Sequence, residues 1–150
     1  MELIKIKDIE LARKFLEEEE LCIAVVKNGK LLYKSKEKGI KPMYILATEM
    51  KEICSGGSIA DRVIGKGAAM LCKYIGTKEI YAQLISNSAI EVLKEGNIIY
   101  SYDKVCPYIR NRDKTDLCPI EKIATNVKDE DILLGRIQEF LVGIEGPSKK

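Results

Sequence analysis

The stretch around which the chain is organised is residues 58–75, SIADRVIGKGAAMLCKYI. At 100° per residue, its large apolar side chains gather on one wide face and its small residues on the opposite face. Between these faces runs a narrow charged stripe of Arg62, Lys66 and Lys73. We therefore predict a single helix over residues 58–75, at the centre of an α/β domain.

Two glycines, Gly65 and Gly67, lie inside this predicted helix. A glycine in a helix interior costs about 1 kcal/mol relative to alanine, so it indicates a close approach of the backbone to a sheet, a neighbouring helix or a ligand. We expect the helix to be sandwiched, with its N-terminal turn facing a site. The loop Gly56-Gly57 before it has neither the Walker spacing nor Gly-x-Gly-x-x-Gly, so we interpret it as a flexible loop, with phosphate binding as the alternative.

Upstream of this helix, the sequence predicts a helix, a β-hairpin and a second helix. Asp8 is a candidate N-cap for a first helix over residues 8–20. Residues 21–26 and 30–34 flank an Asn-Gly dipeptide that favours a two-residue turn at positive φ. A proline in the first turn is compatible with a helix over residues 42–53.

Downstream, regular elements continue nearly to the end of the chain. They are a strand at 79–85, a helix at 89–95, a strand at 97–102, and helices at 119–126 and 130–141. A strand, helix, strand unit of this length makes a right-handed parallel crossover. The predicted fold class is therefore α/β, a three-layer αβα sandwich whose mixed sheet joins an antiparallel hairpin to a parallel pair. We expect one domain over residues 1–150, with a flexible tail from about residue 143.

The composition argues against several classes of protein. The chain has 150 residues, a formal net charge of +2 and 46% apolar residues, with no basic stripe interleaved with aromatics. Nothing in these values requires a nucleic-acid or membrane-surface partner. No apolar run reaches the roughly 18 residues of a membrane span, and the first residues lack a signal-peptide pattern. We expect a cytoplasmic protein with no nucleic-acid and no membrane partner.

The thiols and the missing imidazoles restrict the chemistry further. The five cysteines include no Cys-x-x-Cys pair, which is typical of free thiols in a reducing compartment. Histidine is absent, so Ser-His-Asp catalysis, Cys-His catalysis and His-containing zinc sites are excluded. Proton transfer is left to carboxylates, lysine, tyrosine or cysteine.

Cys118 is the candidate nucleophile. Pro119 at the first helical position places Cys118 at the N-cap and Glu121 where a capping box has its acid. The positive end of the helix dipole and nearby basic residues would stabilise a thiolate there. The alternative is a small structural residue in a turn.

Asp61 and Lys66 are the other candidate catalytic residues. Lys66 could neutralise a ligand anion or act as a base if the packed helix desolvates it. Asp61 could handle a proton. The alternatives are a solvated stripe for Lys66 and simple stabilisation of the first helical turn for Asp61.

Two further groups of residues are candidates for ligand binding. Ser86, Asn87 and Ser88 follow a strand at its carboxyl edge, where ligands bind in open α/β sheets, and they are also suited to capping the next helix. No helical or strand period fits residues 111–116, and charged loops of this kind often bind ligands. From this loop, Arg112 and Asp113 complete the predicted ligand-binding set.

The segments DRVIGKGAA at 61–69 and NRDKTDLCPIE at 111–121 resemble a bacterial family catalogued as domain of unknown function 1893, whose members have the cytidine deaminase fold. The similarity covers roughly residues 11–140. The resemblance implies a deaminase-like pocket lined by Asp61, Lys66, the three residues after strand 79–85 and the charged loop.

The sequence departs from true deaminases at the zinc site. Those enzymes use His or Cys, followed two residues later by Glu, at the start of the central helix, and Pro-Cys-x-x-Cys at the start of the next. Residues 60–63 and 86–88 stand at these places and include no thiolate or imidazole. We therefore expect no metal, no cofactor and no hydrolytic deamination by activated water.

Two functions remain open from the sequence. The first is a metal-independent enzyme or ligand-processing protein that acts on a nucleotide-like or other anionic small molecule. In that case Lys66 and Arg112 hold charge, Asp61 handles a proton and Cys118 is a nucleophile. The second is a non-catalytic binding or regulatory module that kept the pocket and lost the chemistry. Either protein could form a homo-oligomer.

Overall fold

The computed structural model describes residues 6–111, 114 and 116–145. Five strands form one sheet: β1 (Ile23–Lys27), β2 (Lys30–Ser35), β3 (Ser58–Ile64), β4 (Glu79–Ser86) and β5 (Ile99–Cys106). The helices are α1 (Asp8–Glu18), α2 (Lys41–Glu49), α3 (Lys51–Cys54), α4 (Lys66–Ile75), α5 (Asn87–Glu95), α6 (Pro119–Ala124) and α7 (Glu130–Glu145). No helix in these described ranges is long and apolar enough to cross a membrane.

The sheet lies between two unequal layers of helices. Its strand order is β2-β1-β3-β4-β5. Helix α1 covers one face, where Leu16, Val26 and Tyr81 belong to a small core. The larger core on the other face lies against α2, α4, α5, α6 and α7 and includes Met43, Leu71 and other fully buried side chains. The predicted fold class, a three-layer α/β sandwich with a mixed sheet, is confirmed.

The predicted hairpin is present. Strands β1 and β2 pair antiparallel around Asn28 and Gly29, which have φ of 52° and 77° as a two-residue turn requires. Strand β1 also pairs antiparallel with β3, and β3, β4 and β5 run parallel to one another. The predicted parallel pair is therefore part of a larger unit, since the prediction omitted β3.

The prediction of one helix over residues 58–75 is wrong in its first half. Residues 58–64 form the central strand β3, and Ile59, Ala60 and Ile64 are buried to 1% exposure or less. A central strand covered on both faces has apolar residues without strict alternation, and such a run also fits a helical period. The charged stripe predicted along the helix is therefore wrong too, because Arg62 lies on β3 and donates to the carbonyl oxygens of Leu16 and Leu21.

The two glycines are not in a helix interior as predicted, because Gly65 is the N-cap of α4 and Gly67 its second residue. The expected close approach is nevertheless present, and its partner is helix α6. A Cβ atom at Gly65 would lie 2.6 Å from Oε1 of Glu121, and one at Gly67 would lie 2.6 Å from Cγ2 of Ile120. Such distances are too short for any side chain, so α6 packs directly on the backbone at the start of α4. The residues at positions 65 and 67 therefore have to be glycine for α6 to pack this closely.

Other predicted boundaries need smaller corrections. Asp8 does not cap α1; its carboxylate instead accepts hydrogen bonds of 2.9 Å from the backbone N–H groups of Asn28 and Gly29 in the hairpin turn. The helix predicted over residues 42–53 is two helices, α2 and α3, because Met50 at the junction has a non-helical φ of −128°. Strand β5 extends to Cys106, and α7 continues to Glu145. The rest of the predicted flexible tail, residues 146–150, lies outside the described residues.

Candidate functional site

Three parallel strands end at one side of the sheet and open into a cavity of about 760 Å³, which we call the outer cleft. Lys66 follows β3, Ser88 follows β4, and Pro107 and Tyr108 follow β5. The outer cleft is lined by these residues together with Arg110, Lys114, Asp116, Leu117, Glu121, Thr125 and Asn126. Open α/β sheets bind ligands at this edge, so the topology itself brings these side chains together.

Glu121 fixes the wall of the outer cleft. Its side chain is only 6% exposed, Oε1 accepts a hydrogen bond of 2.7 Å from the backbone N–H of Lys66, and Oε2 accepts one of 3.0 Å from the N–H of Ile109. A carboxylate thus neutralises the positive end of α4. The predicted capping box is wrong, because Glu121 bonds to other segments and Cys118 makes no side-chain cap to α6.

The charges on the outer cleft are unequally compensated. Asp116 is paired with Lys122, whose hydrogen bond lowers the pKa of that carboxyl below its ordinary value. Glu121 is engaged by backbone donors. By contrast, no ion pair within the described part of the chain involves Lys66, Arg110 or Lys114. The guanidinium of Arg110 lies 5.4 Å from the ring centroid of Tyr108. The outer cleft therefore presents a surplus of positive charge.

The three predicted residues after β4 have different roles. Ser86 is fully buried, and its Oγ accepts a hydrogen bond of 3.1 Å from the N–H of Ala89, so it caps α5. Ser88 lines the outer cleft, and its Oγ lies 3.1 Å from that of Ser86. Asn87 is an exposed residue of the first turn of α5. Of the three, Ser88 is the one placed to contact a ligand in the outer cleft.

A second cavity, the inner pocket, has a volume of about 400 Å³ and lies between β3, α2 and α6. Asp61 and Cys118 both line it, together with apolar residues that include Ile23, Met43 and Ile120. Lys66 does not line it and belongs to the outer cleft, so the predicted catalytic trio is divided between two cavities. Glu121 lines both cavities and stands between them.

Asp61 is a titratable group of the inner pocket whose pKa is raised. Burial raises the pKa of Asp61 to about 7, although hydrogen bonds from backbone N–H groups, including one of 3.3 Å from Val63, favour its charged form. No ion pair among residues 6–111, 114 and 116–145 includes Asp61. A carboxyl with this pKa can either donate or accept a proton near neutral pH.

The cysteines differ in their access to these cavities. Cys118 is half-buried and lines the inner pocket, as does Cys22. Burial raises the pKa of Cys54, Cys72 and Cys106, which disfavours their thiolates. Cys118 stays the candidate nucleophile as a prediction from the sequence, and Cys22 shares its access to the inner pocket.

Arg112 and Asp113 lie outside the described residues, so their part in the site stays a prediction. No group of three potential metal ligands is found in the described part of the chain, and the expectation of no metal likewise stays a prediction. Sequence reasoning missed Arg110 and the positioning role of Glu121. For Glu121, the neighbours in sequence, Ile120 and Lys122, gave no signal that its carboxylate would be buried.

Comparisons with known proteins found one matching family model and a similar solved structure. A family model described as Domain of unknown function (DUF1893) matches residues 11–141. The crystal structure of a DUF1893 family protein from Thermotoga maritima resembles this chain with a TM-score of 0.80 at 24% sequence identity, covering 91% of this chain and 92% of the other. At this identity the likeness shows the fold alone. The comparison with curated proteins gave no match.

Proposed function

The chain belongs to the DUF1893 family, and from that premise we propose that it binds a small molecule bearing a phosphate or a similar compact anionic group in the outer cleft. One observation carries the proposal. The carboxyl ends of three parallel strands deliver Lys66, Ser88 and Tyr108 to a single cavity whose cations lack ion-pair partners among the described residues. A nucleotide-like ligand has both the anion and the flat ring that such a cavity suits.

Electrostatics supports an anion over a cation. At an effective dielectric constant of 20 and a separation of about 5 Å, one cation and one anion attract by about 3 kcal/mol. In an open cleft this attraction is reduced by salt, so affinity depends on several cations acting together. Lys66, Arg110 and Lys114 supply them, and the Ser88 hydroxyl adds a hydrogen-bond donor. Arg112 and Asp113 stay proposed as further ligand-binding residues.

We propose a degenerate cytidine deaminase-like fold as the origin of this pocket. The structure moves the start of the central helix from residues 60–63 to Gly65 and Lys66. These positions and those at the start of α5 still include no thiol or imidazole. Zinc of the deaminase kind would have no suitable ligands there, which favours binding without hydrolytic deamination. The reduced, unpaired cysteines favour a cytoplasmic location.

Calorimetric titration with inorganic phosphate, pyrophosphate and a nucleoside monophosphate tests the proposal. We expect saturable binding that Lys66→Ala and Arg110→Ala each weaken about tenfold, or ~1.4 kcal/mol. Lys78→Ala is the matched control, since Lys78 is exposed and precedes β4 at the opposite end of the sheet. If none of these anions binds, or if Lys78→Ala weakens binding equally, the proposed function is wrong.

An enzyme acting through the inner pocket is the second candidate, favoured by the shared lining of Asp61 and Cys118. In this function Asp61 transfers a proton and Cys118 is the nucleophile, while Lys66 serves only the outer cleft. Alkylation by iodoacetamide at neutral pH tests the thiol, and Cys22 is the internal control because it lines the same pocket. We expect Cys118 to react faster than Cys22 and faster than an unstructured thiol. A rate no higher than that of the unstructured thiol would contradict nucleophilic catalysis.

A further inference from the structure

We propose that two copies of this chain associate edge to edge through β5, which would double the five-stranded sheet. Strand β5 is at one edge of the sheet and is eight residues long. Its large side chains are unusually accessible, with exposed fractions of 55% for Ile99, 42% for Tyr102 and 46% for Val105. A long edge strand with exposed apolar residues is a template for pairing with another strand.

The backbone of β5 determines which groups are available for that pairing. The N–H of Ile99 donates a hydrogen bond to the carbonyl oxygen of Lys78, and the strand pairs in parallel with β4 as far as Cys106. In a parallel pair, alternate residues bond to the neighbouring strand and the residues between them point away. The N–H and C=O groups of Tyr100, Tyr102 and Lys104 therefore point outward, toward a second strand.

The side chains of β5 complement one another in an antiparallel register centred on Tyr102. A two-fold axis normal to the sheet pairs residues that lie on the same face. An axis at Tyr102 also puts the outward-pointing backbone groups opposite one another. The pairs are then Tyr102 with the partner's Tyr102, Ser101 with the partner's Asp103, Tyr100 with the partner's Lys104, and Ile99 with the partner's Val105.

Registers centred on Ser101, Asp103 or Lys104 are less favourable. An axis at Asp103 places two carboxylates opposite each other, and one at Lys104 places two ammonium groups opposite each other. An axis at Ser101 places Ile99 opposite a carboxylate. The register centred on Tyr102 instead pairs the two exposed aliphatic side chains and places an ammonium group opposite an aromatic ring, where cation–π attraction is available. This self-complementarity favours a second copy over an unrelated peptide.

The opposite edge of the sheet makes a useful contrast. Strand β2 exposes Lys30 and Lys34, and its pairing with β1 is irregular between Val25 and Val26. Lysines and bulges on an edge strand disfavour edge-to-edge association. Strand β5 carries one exposed lysine, Lys104, and no proline, and its pairing with β4 keeps one register throughout. The two edges thus differ in the features that prevent pairing.

Sedimentation of the full chain over a wide concentration range tests the association. We expect a monomer–dimer equilibrium that Tyr102→Lys weakens at least tenfold, because it places two ammonium groups at the two-fold axis. Tyr108→Lys is the control, since Tyr108 has a similar exposed fraction of 43% and lies beyond β5. A monomer at every concentration would overturn the proposal, as would a dimer unaffected by Tyr102→Lys.

Disulfide cross-linking tests the register independently. Opposite residues in a hydrogen-bonded antiparallel pair have Cα atoms about 5.5 Å apart, within the range that a disulfide spans. Mild oxidation should therefore cross-link Tyr102→Cys. Tyr100→Cys is the control, because four residues of offset separate it from its equivalent by about 13 Å. Equal cross-linking of both variants, or of the unmodified chain, would contradict the register.

Discussion

Replacing Glu121 should destabilise the protein more than the loss of a side chain from a short helix would suggest. Helix α6 has only six residues. Yet Glu121 is buried and accepts hydrogen bonds from the N–H groups of Lys66 and Ile109, on two other segments. In Glu121→Ala both donors lose their partner, and the start of α4 loses the carboxylate that neutralises its dipole.

The size of the effect follows from these contacts. A hydrogen bond to a charged group contributes about 1.5–3 kcal/mol net, so the two bonds together contribute about 3–6 kcal/mol. Glu121 also lines the outer cleft, from which water can reach the freed donors, so the lower end applies. We expect Glu121→Ala to reduce the free energy of unfolding by about 3 kcal/mol. Glu121→Gln keeps one acceptor oxygen and should lose about half as much.

Urea unfolding measures this loss. With a slope of about 1–3 kcal/mol per M, a loss of 3 kcal/mol lowers the midpoint by about 1–3 M. Asp116→Asn is the control, because it removes a neighbouring carboxylate whose partner, Lys122, is exposed, and it should hardly change the midpoint. If Glu121→Ala changed the midpoint no more than Asp116→Asn does, Glu121 would not hold α4 and α6 together.

Two further predictions concern the inner pocket and the helix contact. The pKa of Asp61 is about 7 in the folded chain against 3.8 for the ordinary group, so the folded state holds the proton more tightly and stability falls as pH rises from about 4 to 7. Asp61→Asn should remove this pH dependence, which at 1.36 kcal/mol per pKa unit amounts to at most about 4 kcal/mol in the free energy of unfolding. Urea midpoints measured at pH 4 and pH 8 test this. If the midpoint changed with pH by the same amount in the unmodified protein and in Asp61→Asn, the prediction would be wrong. Gly67→Ala should destabilise by about 1–3 kcal/mol, because the added methyl group meets Ile120. Gly135 lies on α7, and a Cβ atom added there would have no neighbouring atom within 4 Å, so Gly135→Ala should stabilise the protein by about 0.5–1 kcal/mol. If thermal unfolding showed that both alanine variants change the stability in the same direction, the packing argument would be contradicted.

The sequence predicted those parts of the fold that local patterns determine. The hairpin follows from the Asn-Gly dipeptide between two short apolar runs, and α5 follows from Ser86 as a cap. Strand β3 could not be predicted in this way. Both of its faces are covered, so its residues show no alternation, and its position is set by pairing with β1 and β4. Because Arg62 lies on this strand, its side chain contacts α1 and does not belong to the charged stripe that was predicted along a helix.

Site residues that directly follow a parallel strand could be predicted from the sequence. Contacts between side chains and backbone groups far apart in the sequence could not. Lys66 and Ser88 each follow a parallel strand, so they meet at one edge of the sheet. The contact between Glu121 and Lys66 spans 55 residues, and a local capping pattern gave the wrong partner. Whether Cys118 shares a cavity with Asp61 was left open by the sequence, and the structure places both in the inner pocket. Lys66 could not be separated from Asp61 while both were assigned to one helix.

The position of Glu121 also constrains how an anion could be held. The N-terminus of α4 already has a carboxylate on its first N–H group, so its dipole is largely neutralised for any ligand. An anion in the outer cleft must therefore be held by the side chains of Lys66, Arg110 and Lys114. Side-chain ammonium and guanidinium groups in an open cleft are screened by salt far more than buried backbone donors. Binding of phosphate should accordingly weaken steeply as salt increases, and binding that salt left unchanged would point to buried donors instead of this cleft.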